Sequence, residues 1–319
     1  MKSFVVVTPT YNRARQLVRL YDSLVAQTLS YDLFDWFVVD DGSTDNTADL
    51  INDLISVAPF KIIYHRKENG GKHTAWKYAV DILSGSAEYN YFVSIDSDDV
   101  LTEDALEVFL YHWKDINDNS ENVNVLNART KLADGIDQPH KIYGDNDFIE
   151  DTYQNVTLKM GEQSEMITSF KVKDLDVYLN IPDKFWLSDK VKFFSENIIW
   201  ARNGRMTRSR YIKKYLRLVY RDAGNQISHN AKKGRVDHLY NYIVGYKYFL
   251  SENADVIFRY QKKSLVIDLI KYGAMCVLVG IPVREAYNEL ESKLLRFLYV
   301  VLFPFSILVV IAFNIRKLF

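Results

Sequence analysis

The sequence predicts an α/β protein: a mostly parallel sheet with helices on both faces, followed by a helical, hydrophobic C-terminal region. Up to about residue 130, apolar runs suited to buried strands alternate with segments of helical spacing. This rhythm is typical of a parallel sheet whose strands are joined by right-handed crossovers. The C-terminal region is predicted because residues 297–313 are almost entirely apolar.

The predicted elements follow in chain order. Strands are predicted at residues 4–7, 36–39, 61–64, 91–95 and 123–126. Helices are predicted around Leu17–Leu24 and Ile51–Leu54, over Lys72–Leu83, and after Thr102. Beyond residue 130 the rhythm breaks, and we expect one more strand at 165–172 and a basic helical stretch at 196–217.

Composition limits the classes of function. The net charge of −1 argues against a nucleic-acid-binding protein. Cys276 is the only cysteine, and Met1 leads directly into an apolar run without a signal-peptide pattern, so we expect the catalytic part to be cytosolic. Residues 202–235 hold eleven Lys or Arg and one acid, Asp222. This run is either a solvated face or a surface for anionic lipid or a phosphorylated acceptor.

Polar clusters follow four of the predicted strands. They are Thr8-Pro9-Thr10-Tyr11-Asn12, Asp40-Asp41-Gly42-Ser43, Glu68-Asn69-Gly70-Gly71-Lys72-His73 and Asp96-Ser97-Asp98-Asp99. Ligands of open parallel sheets bind outside the carboxyl ends of the strands. The four turns are therefore expected to converge on one rim and form a site.

Each cluster suggests a separate task. Tyr11 offers an aromatic face to a nucleotide base, and Asp40 or Asp41 can accept hydrogen bonds from a base or a ribose. Gly71 lets the backbone approach a ligand closely, and Lys72 can meet a phosphate. The alternatives are a plain strand-to-helix turn after the second strand and a simple loop after the third.

Asp96, Asp98 and Asp99, which we call the Asp triplet, are the sharpest signal. Carboxylates this close together suit Mg²⁺ or Mn²⁺ shared with substrate phosphates. The alternative is an exposed acidic turn that caps the next helix, and in either case we expect the turn to lie at the surface. No Gly-rich phosphate-binding motif follows the first strand, which argues against a P-loop or a dinucleotide-binding fold.

Four motifs resemble those of family-2 glycosyltransferases with the Rossmann-like GT-A fold: "VVVTPTYNR", "FVVDDGSTDNT", "ENGGKHTAWKYA" and "VSIDSDDVLTEDAL". The resemblance implies an inverting, metal-dependent transferase that uses a nucleoside-diphosphate-sugar, usually a UDP-sugar. It places Pro9, Tyr11 and Asp41 at base-binding positions. The Asp triplet matches the DXD-type motif, in which Asp96 binds the ribose while Asp98 and Asp99 hold Mn²⁺ or Mg²⁺.

The segment "FFSENIIWAR" resembles the place where bacterial members carry their catalytic base, which would be Glu196. Ser195 departs from the Pro or Gly of many relatives. Alternatively, Glu196 is only an acid in the first turn of a helix, and Glu162 or Glu165 is the base. Arg217 and Tyr220 also resemble a family pattern, without an assigned role.

These observations predict a catalytic domain at 1–230, with a nucleotide-sugar-binding half at 1–128 and an acceptor half at 129–230. The function implied is transfer of a sugar to a saccharide or lipid-linked acceptor in surface polysaccharide synthesis. A nucleotidyltransferase and an inactive nucleotide-binding scaffold are the alternatives. A nucleotidyltransferase would carry a Gly-rich, basic loop after the first strand, where this chain has "TPTYNR".

Residues 231–319 are predicted to be a helical region that associates with the cytoplasmic face of the cell membrane. The run 297–313 is near the lower limit for a spanning helix, contains Pro304, and is flanked by Lys293, Arg296, Arg316 and Lys317. It could span the membrane, or enter it as a hairpin with 272–283. The alternative is a core helix or a homodimer helix.

Overall fold

The computed structural model describes residues 1–120, 122–135, 142–162, 164–175, 197–222 and 236–318. The chain forms two compact units: Met1–Thr152 with Glu162–Trp186 and Met206–Gly224, and Tyr153–Gly161 with Leu187–Arg205 and Asn225–Phe319. The predicted division at residue 230 lies outside the described residues, and the one at residue 128 falls within a strand. Both divisions stay predictions.

The first unit is built on one sheet. Its strands are β1 Lys2–Thr10, β2 Phe34–Asp40, β3 Lys61–Arg66, β4 Tyr89–Ser94, β5 Val100–Leu101, β6 Val123–Leu132, β7 Phe148–Asp151, β8 Met166–Lys171 and β9 Arg208–Val219. Their order in the sheet is β3-β2-β1-β4-β8-β6-β9-β5, and β7 pairs with β9. The positions of the strands predicted from the sequence are confirmed, but β1 and β6 are longer than predicted.

Helices cover both faces of this sheet. They are α1 Ala14–Val25, α2 Thr47–Val57, α3 Lys72–Leu83 and α4 Ala105–Asn119, with 3₁₀ turns at Tyr31–Leu33 and Val172–Asp174. Successive strand residues face opposite sides. Val6 and Trp36 therefore share a core with Leu17 of α1, whereas Phe92 lies edge-on to Trp76 of α3, with ring centroids 6.1 Å apart. The predicted α/β fold class is confirmed.

The sheet is mixed beyond β4, where β6 runs parallel to β9 but the other strand pairs are antiparallel. Strands β3, β2, β1 and β4 run parallel, but β8 is antiparallel to both β4 and β6. The prediction of a helix through residue 217 is wrong. Helix α5, Asn197–Met206, ends at Met206, and residues 208–219 form β9. Strand β9 pairs with β6, β7 and β5, and these long-range backbone hydrogen bonds decide its conformation.

The second unit is helical over its described residues. Besides α5, it contains a π-helical turn Gln154–Lys159 and the helices α6 Val236–Tyr260, α7 Lys262–Leu278, α8 Val283–Asn288 and α9 Lys293–Leu318. Its core includes Leu250 of α6, Leu269 of α7 and Leu295 of α9. Among the described residues, one stretch, Lys293–Ala312, is long and apolar enough to cross a membrane, judged by length and composition alone. Only 17% of its most apolar window is buried.

Candidate active site

The carboxyl ends of the four parallel strands lie at one edge of the sheet, and backbone contacts tie their turns together. The Asp41 N–H donates to the Thr10 carbonyl (2.8 Å), which joins the turns after β2 and β1. The Asn12 N–H donates to Ser43 Oγ (2.8 Å), and Asn12 Oδ1 accepts from the Thr44 N–H (2.7 Å). Asn12 adopts the left-handed backbone conformation, with φ 52°, which asparagine tolerates better than most residues.

Asp41 is the centre of contacts between the second and third turns. Its Oδ1 accepts hydrogen bonds from Lys67 Nζ (2.7 Å) and the Gly70 N–H (3.0 Å), and its Oδ2 accepts from the Gly71 N–H (2.7 Å). The side chain is almost fully buried. A buried carboxylate is stable only when donors satisfy it, so these contacts hold the glycine loop in place.

The neighbouring Asp40 is fully buried and lies within β2. Its Oδ1 accepts from the Ser43 N–H (2.8 Å), and its Oδ2 accepts from the Tyr64 hydroxyl (2.7 Å). Gly42 follows with φ +79°, and a Cβ there would lie 3.0 Å from the Asn69 backbone nitrogen. A side chain at this position would therefore be strained and crowded.

The remaining residues predicted to bind a nucleotide lie around the same edge. Pro9 is buried opposite Val39 in the sheet. Tyr11 follows β1 and is 41% exposed, so its ring is available to a ligand. Lys72 begins α3, and its Nζ lies 2.7 Å from Asp96 Oδ1. The binding roles assigned to Pro9, Tyr11, Asp40, Asp41, Gly71, Lys72 and Asp96 stay predictions.

The Asp triplet brings three carboxylates together. One oxygen from each of Asp96, Asp98 and Asp99 lies within 4.8 Å of the others. The oxygens around Mg²⁺ lie about 2.1 Å from the ion, so a small side-chain rotation would let all three share one ion. The residues present therefore fit a divalent metal. The expectation that the turn lies wholly at the surface is wrong, because Asp99 is 3% exposed.

Burial and charge separate two members of the triplet. The pKa of Asp99 is raised to about 8, because burial and the neighbouring Asp96 and Asp98 outweigh the lowering effect of Arg217. Burial also acts to raise the pKa of Asp96, but the nearby cations Lys72 and Arg217 outweigh it, and the pKa falls below its usual range. The turn therefore holds carboxyl groups of unequal affinity for protons.

Cationic side chains surround the triplet. Besides Lys72 on Asp96, Arg13 Nη2 lies 3.7 Å from Asp98 Oδ2, and Arg217 Nη1 lies 3.6 Å from Asp99 Oδ2. These cations offset the repulsion among the three carboxylates. The same edge thus combines an exposed aromatic ring, a glycine loop, cations and a potential metal site.

A family model described as "Glycosyl transferase family 2" matches residues 5–172. This match covers more than half of the chain. The chain belongs to glycosyl transferase family 2. The family resemblance predicted from the four motifs is confirmed, and so is the prediction of a glycosyltransferase domain.

Curated relatives of this family-2 chain include enzymes named for bacterial cell-wall polymers. GgaB, the minor teichoic acid biosynthesis protein of Bacillus subtilis, is 25% identical over 51% of this chain and 20% of its own length. Two poly(ribitol-phosphate) β-N-acetylglucosaminyltransferases of Staphylococcus aureus also match. TarP is 32% identical over 37% of this chain and 35% of its own length, and TarS is 26% identical over 66% and 38%. The chain thus aligns with well under half the length of each.

Solved structures show the same fold. The crystal structure of Staphylococcus aureus TarS 1–349 in complex with UDP-GlcNAc has a TM-score of 0.61 and 17% identity, covering 96% of this chain and 90% of that one. The mannosyltransferase PcManGT of Pyrobaculum calidifontis, in complex with GDP-Man and Mn²⁺, has a TM-score of 0.54 and 14% identity, covering 97% and 86%. The predicted GT-A fold of the family-2 domain is confirmed.

Arg217 is a site residue of this family-2 domain whose place the sequence left open. It is buried within β9, and its Nη2 lies 2.6 Å from Glu165 Oε1 while its Nε donates to Thr130 Oγ1 (3.1 Å). The sequence indicated Arg217 only through its position in a family pattern. Its proximity to the Asp triplet depends on the pairing of β9 with β5, the strand that follows the triplet.

Arg19, on α1, was not identified from the sequence. Its Nη2 donates to the Asp98 carbonyl (2.8 Å), its guanidinium is ion-paired with Asp222 (2.9 Å), and it stacks 3.5 Å from the centroid of the Tyr220 ring. Arg19 therefore connects the Asp turn to the end of β9. The sequence around a single arginine on a helix does not distinguish it from an ordinary surface arginine.

Of the three candidate catalytic acids, Glu162 and Glu165 lie within the described residues. Glu196 lies outside the described residues, so its role as base stays a prediction. Glu162 is buried, and its Oε1 accepts hydrogen bonds from the Ser164 N–H (2.9 Å) and hydroxyl. Glu165 is bound to Arg217. This ion pair already engages the Glu165 carboxylate.

Not all basic residues of the run 202–235 lie at the surface. Arg210 is 1% exposed and contacts Asp115 (2.5 Å) and Glu150 (2.5 Å), and Arg217 is buried next to the Asp triplet. These two arginines point into the first unit because distant carboxylates neutralise them there. Residues 223–235 of the run lie outside the described residues.

Proposed function

We propose that this chain transfers a sugar from a nucleoside-diphosphate-sugar, a UDP-sugar, to a saccharide or lipid-linked acceptor in surface polysaccharide synthesis. The observation that carries this proposal is the convergence of Tyr11, the Asp41-bound glycine loop and the Asp triplet on one edge of the sheet. The names of GgaB, TarP and TarS support a cell-surface polymer as the product.

The donor would bind along this edge from base to phosphate. The exposed ring of Tyr11 stacks on the base, while Asp40, Asp41 and the buried Pro9 shape its pocket. Asp96 binds the ribose, and Gly71 and Lys72 approach the diphosphate. In this arrangement Lys72 exchanges its ion pair with Asp96 for a contact with a phosphate of the donor.

The metal site would be formed by Asp98 and Asp99, beside Asp96. A bound Mn²⁺ or Mg²⁺ supplies positive charge that stabilises the departing diphosphate. Support comes from the spacing of the three carboxylates and from the related PcManGT structure, which is a complex with Mn²⁺. Arg13 and Lys72, on either side of the turn, orient the phosphates and offset their charge.

The reaction would proceed by a single displacement with inversion. Glu196 takes the proton of the acceptor hydroxyl, whose oxygen attacks the anomeric carbon as the bond from that carbon to the diphosphate oxygen breaks. The diphosphate leaves with the bonding electrons as free nucleoside diphosphate. An α-linked donor gives a β-linked product. Unlike glycoside hydrolysis, this step needs no second carboxylic acid on the leaving group.

The enzyme would act at the cytoplasmic face of the cell membrane. Support comes from the 20-residue apolar stretch Lys293–Ala312, whose mean hydropathy is 2.5. Membrane association would bring the active site to a lipid-linked acceptor. A homodimer contact through the same helix is the competing use of this surface.

The test is a donor panel with the full chain. UDP-GlcNAc, UDP-glucose, UDP-galactose and GDP-mannose are incubated with poly(ribitol phosphate) or a lipid-linked saccharide, with Mn²⁺ or with EDTA. We expect one donor to give metal-dependent release of nucleoside diphosphate and a thermal shift. Pyrophosphate release from a nucleoside triphosphate and a sugar phosphate would instead indicate a nucleotidyltransferase. Donor binding without any product would indicate an inactive scaffold.

A further inference from the structure

The exposed face of α9 is apolar between residues 297 and 312. Between residues 297 and 312 its exposed large side chains are Phe297, Val300, Val301, Phe305, Leu308, Val309 and Ile311. Tyr299 and Ser306 carry the polar side-chain atoms of this stretch, and both residues are about 1% exposed. A soluble monomer rarely leaves so continuous an apolar surface in water.

The inner face of α9 is held against α7. The rings of Tyr272 and Tyr299 pack edge to face with centroids 5.8 Å apart, and Ser306 Oγ donates to the Ile270 carbonyl (3.0 Å). A Cβ on Gly273 would lie 2.5 Å from Ser306 Oγ, so the two helices touch at this glycine. Helix α9 therefore forms one rigid pair with α7.

The helices that accompany α9 are not suited to the hydrocarbon layer. Helix α7 carries Asp268 and the exposed Lys271 in its middle turns. Helix α6, packed on α7, carries Asp255, which is 72% exposed and ion-paired with Arg205. If α9 spanned the bilayer with its packing intact, these charges would be carried toward the membrane interior, where charged side chains are strongly disfavoured.

We propose that α9 lies flat in the surface of an anionic bilayer, with its outer face among the acyl chains and α7 on the water side. This inference rests on the proposed membrane location and decides among spanning, entering and lying on the bilayer. The α7–α9 pair then acts as one amphipathic unit, in which α7 replaces the polar face that an isolated interfacial helix would need.

Charge favours lipid as the occupant of this face. Basic side chains stand at the beginning of both helices: Lys262 and Lys263 on α7, and Lys293 and Arg296 on α9. Basic residues beside an apolar face attract anionic headgroups. Protein interfaces have an apolar centre and a polar rim, whereas the exposed positions of α9 between 297 and 312 include no polar rim.

Depth measurements on labelled cysteines test the orientation. Phe297→Cys, Val301→Cys and Leu308→Cys place spin labels on one face of α9, over about 16 Å of helix. The native Cys276 is buried, and the unsubstituted chain controls for its labelling. With phosphatidylcholine–phosphatidylglycerol vesicles, we expect all three labels at the same depth, about 5–10 Å below the headgroups.

Two other results would overturn the inference. Depths that change steadily from residue 297 to residue 308 would show that α9 spans or enters the bilayer. Labels that are shielded from oxygen in vesicle-free solution, together with a doubled mass by light scattering, would show that a second copy covers the face.

A matched pair of variants separates this inference from the proposed function. Val301→Glu with Leu308→Glu should weaken vesicle binding by at least about tenfold, without changing the thermal shift given by the donor. Tyr111→Glu, on α4 at a site that is 68% exposed, adds the same charge elsewhere and should leave vesicle binding unchanged. Unchanged vesicle binding by the double variant would refute the inference. A missing donor shift in every form would instead contradict the proposed function.

Discussion

The guanidinium of Arg217 lies 3.6 Å from the carboxylate of Asp99, measured from Nη1 to Oδ2, and both side chains are almost completely buried. Nearby acids, chiefly Glu165 and Asp99, outweigh burial and raise the pKa of Arg217, so it stays charged. Burial raises the pKa of Asp99, whereas the positive charge of Arg217 lowers it. The pair joins β9 to the Asp triplet.

Replacing Arg217 should reveal how strongly the pair is coupled. Arg217→Met removes the cation and leaves polar partners buried, so we expect a loss of roughly 3 kcal/mol in the free energy of unfolding. In a double-mutant cycle, Asp99→Asn should cost at least about 0.5 kcal/mol less in the Arg217→Met background than in the wild type. Urea unfolding measures all four proteins. Strict additivity would show that the two side chains do not interact.

Activity should be lost when either proposed metal ligand of the Asp triplet, Asp98 or Asp99, is replaced. Asp98→Asn and Asp99→Asn keep the side-chain shape but remove a charge that a divalent cation needs. We expect no nucleoside diphosphate release and retained secondary structure by circular dichroism. Asp53→Asn, an exposed change on α2, is the control and should keep full activity. Full activity of the triplet variants, or of the wild type in EDTA, would contradict the metal proposal.

Tyr11 should contribute to donor affinity through its ring. A base stacked on an aromatic side chain gains about 1–3 kcal/mol, so Tyr11→Ala should raise the donor Kd by roughly 5- to 150-fold, whereas Tyr11→Phe should change it little. Calorimetric titration with the donor and with the free nucleoside diphosphate measures both. Tyr111→Ala removes another exposed tyrosine and should have no effect. An equal loss in Tyr11→Phe would assign the contribution to the hydroxyl instead.

Glu196→Gln should separate chemistry from binding. The amide keeps the shape of the side chain but cannot take the acceptor proton, so the transfer rate should fall by roughly 10²–10⁴-fold. The donor Kd should stay near the wild-type value. Glu165→Gln, which alters the ion pair with Arg217, is the comparison and should reduce the rate less. Normal transfer by Glu196→Gln, or loss of donor binding with it, would place the base at Glu162 or Glu165.

His112 should make the first unit less stable in mild acid. Burial and the adjacent Arg210 lower the pKa of His112 to about 4, and its Nδ1 lies 3.3 Å from Arg210 Nη1. The unfolded chain, with a histidine pKa of about 6.5, binds more protons between pH 4 and 6.5. The free energy of unfolding should therefore fall as the pH decreases through this window, by at most roughly 3 kcal/mol from this group.

Chemical denaturation at several pH values checks this prediction. His112→Gln should remove this contribution to the change of unfolding free energy with pH. Tyr111→Phe, an exposed change at the neighbouring position, should retain it. The same slope in His112→Gln and the wild type would assign the pH dependence to other groups, among them Asp115, whose pKa is lowered by its hydrogen bond with Arg210.

The sequence alone determined the elements and motifs whose signals are local. Residues 72–83 have helical spacing after two glycines, and α3 occupies those residues. The apolar runs of β1 to β4 are bounded by turn residues, and the carboxyl ends of parallel strands meet by geometry. The four turns and the family could therefore be identified without coordinates.

Tertiary structure decided which side chains meet across long distances in the chain. Residues 208–219 are rich in Lys and Arg and suggested a basic helix, but pairing with β6 makes them a strand. Their Arg210 and Arg217 are buried because Glu150, Asp115 and Asp99, from distant segments, neutralise them. A sequence shows the charges and their spacing along the chain. Only the fold brings opposite charges within contact distance, and burial then strengthens their effect on each other.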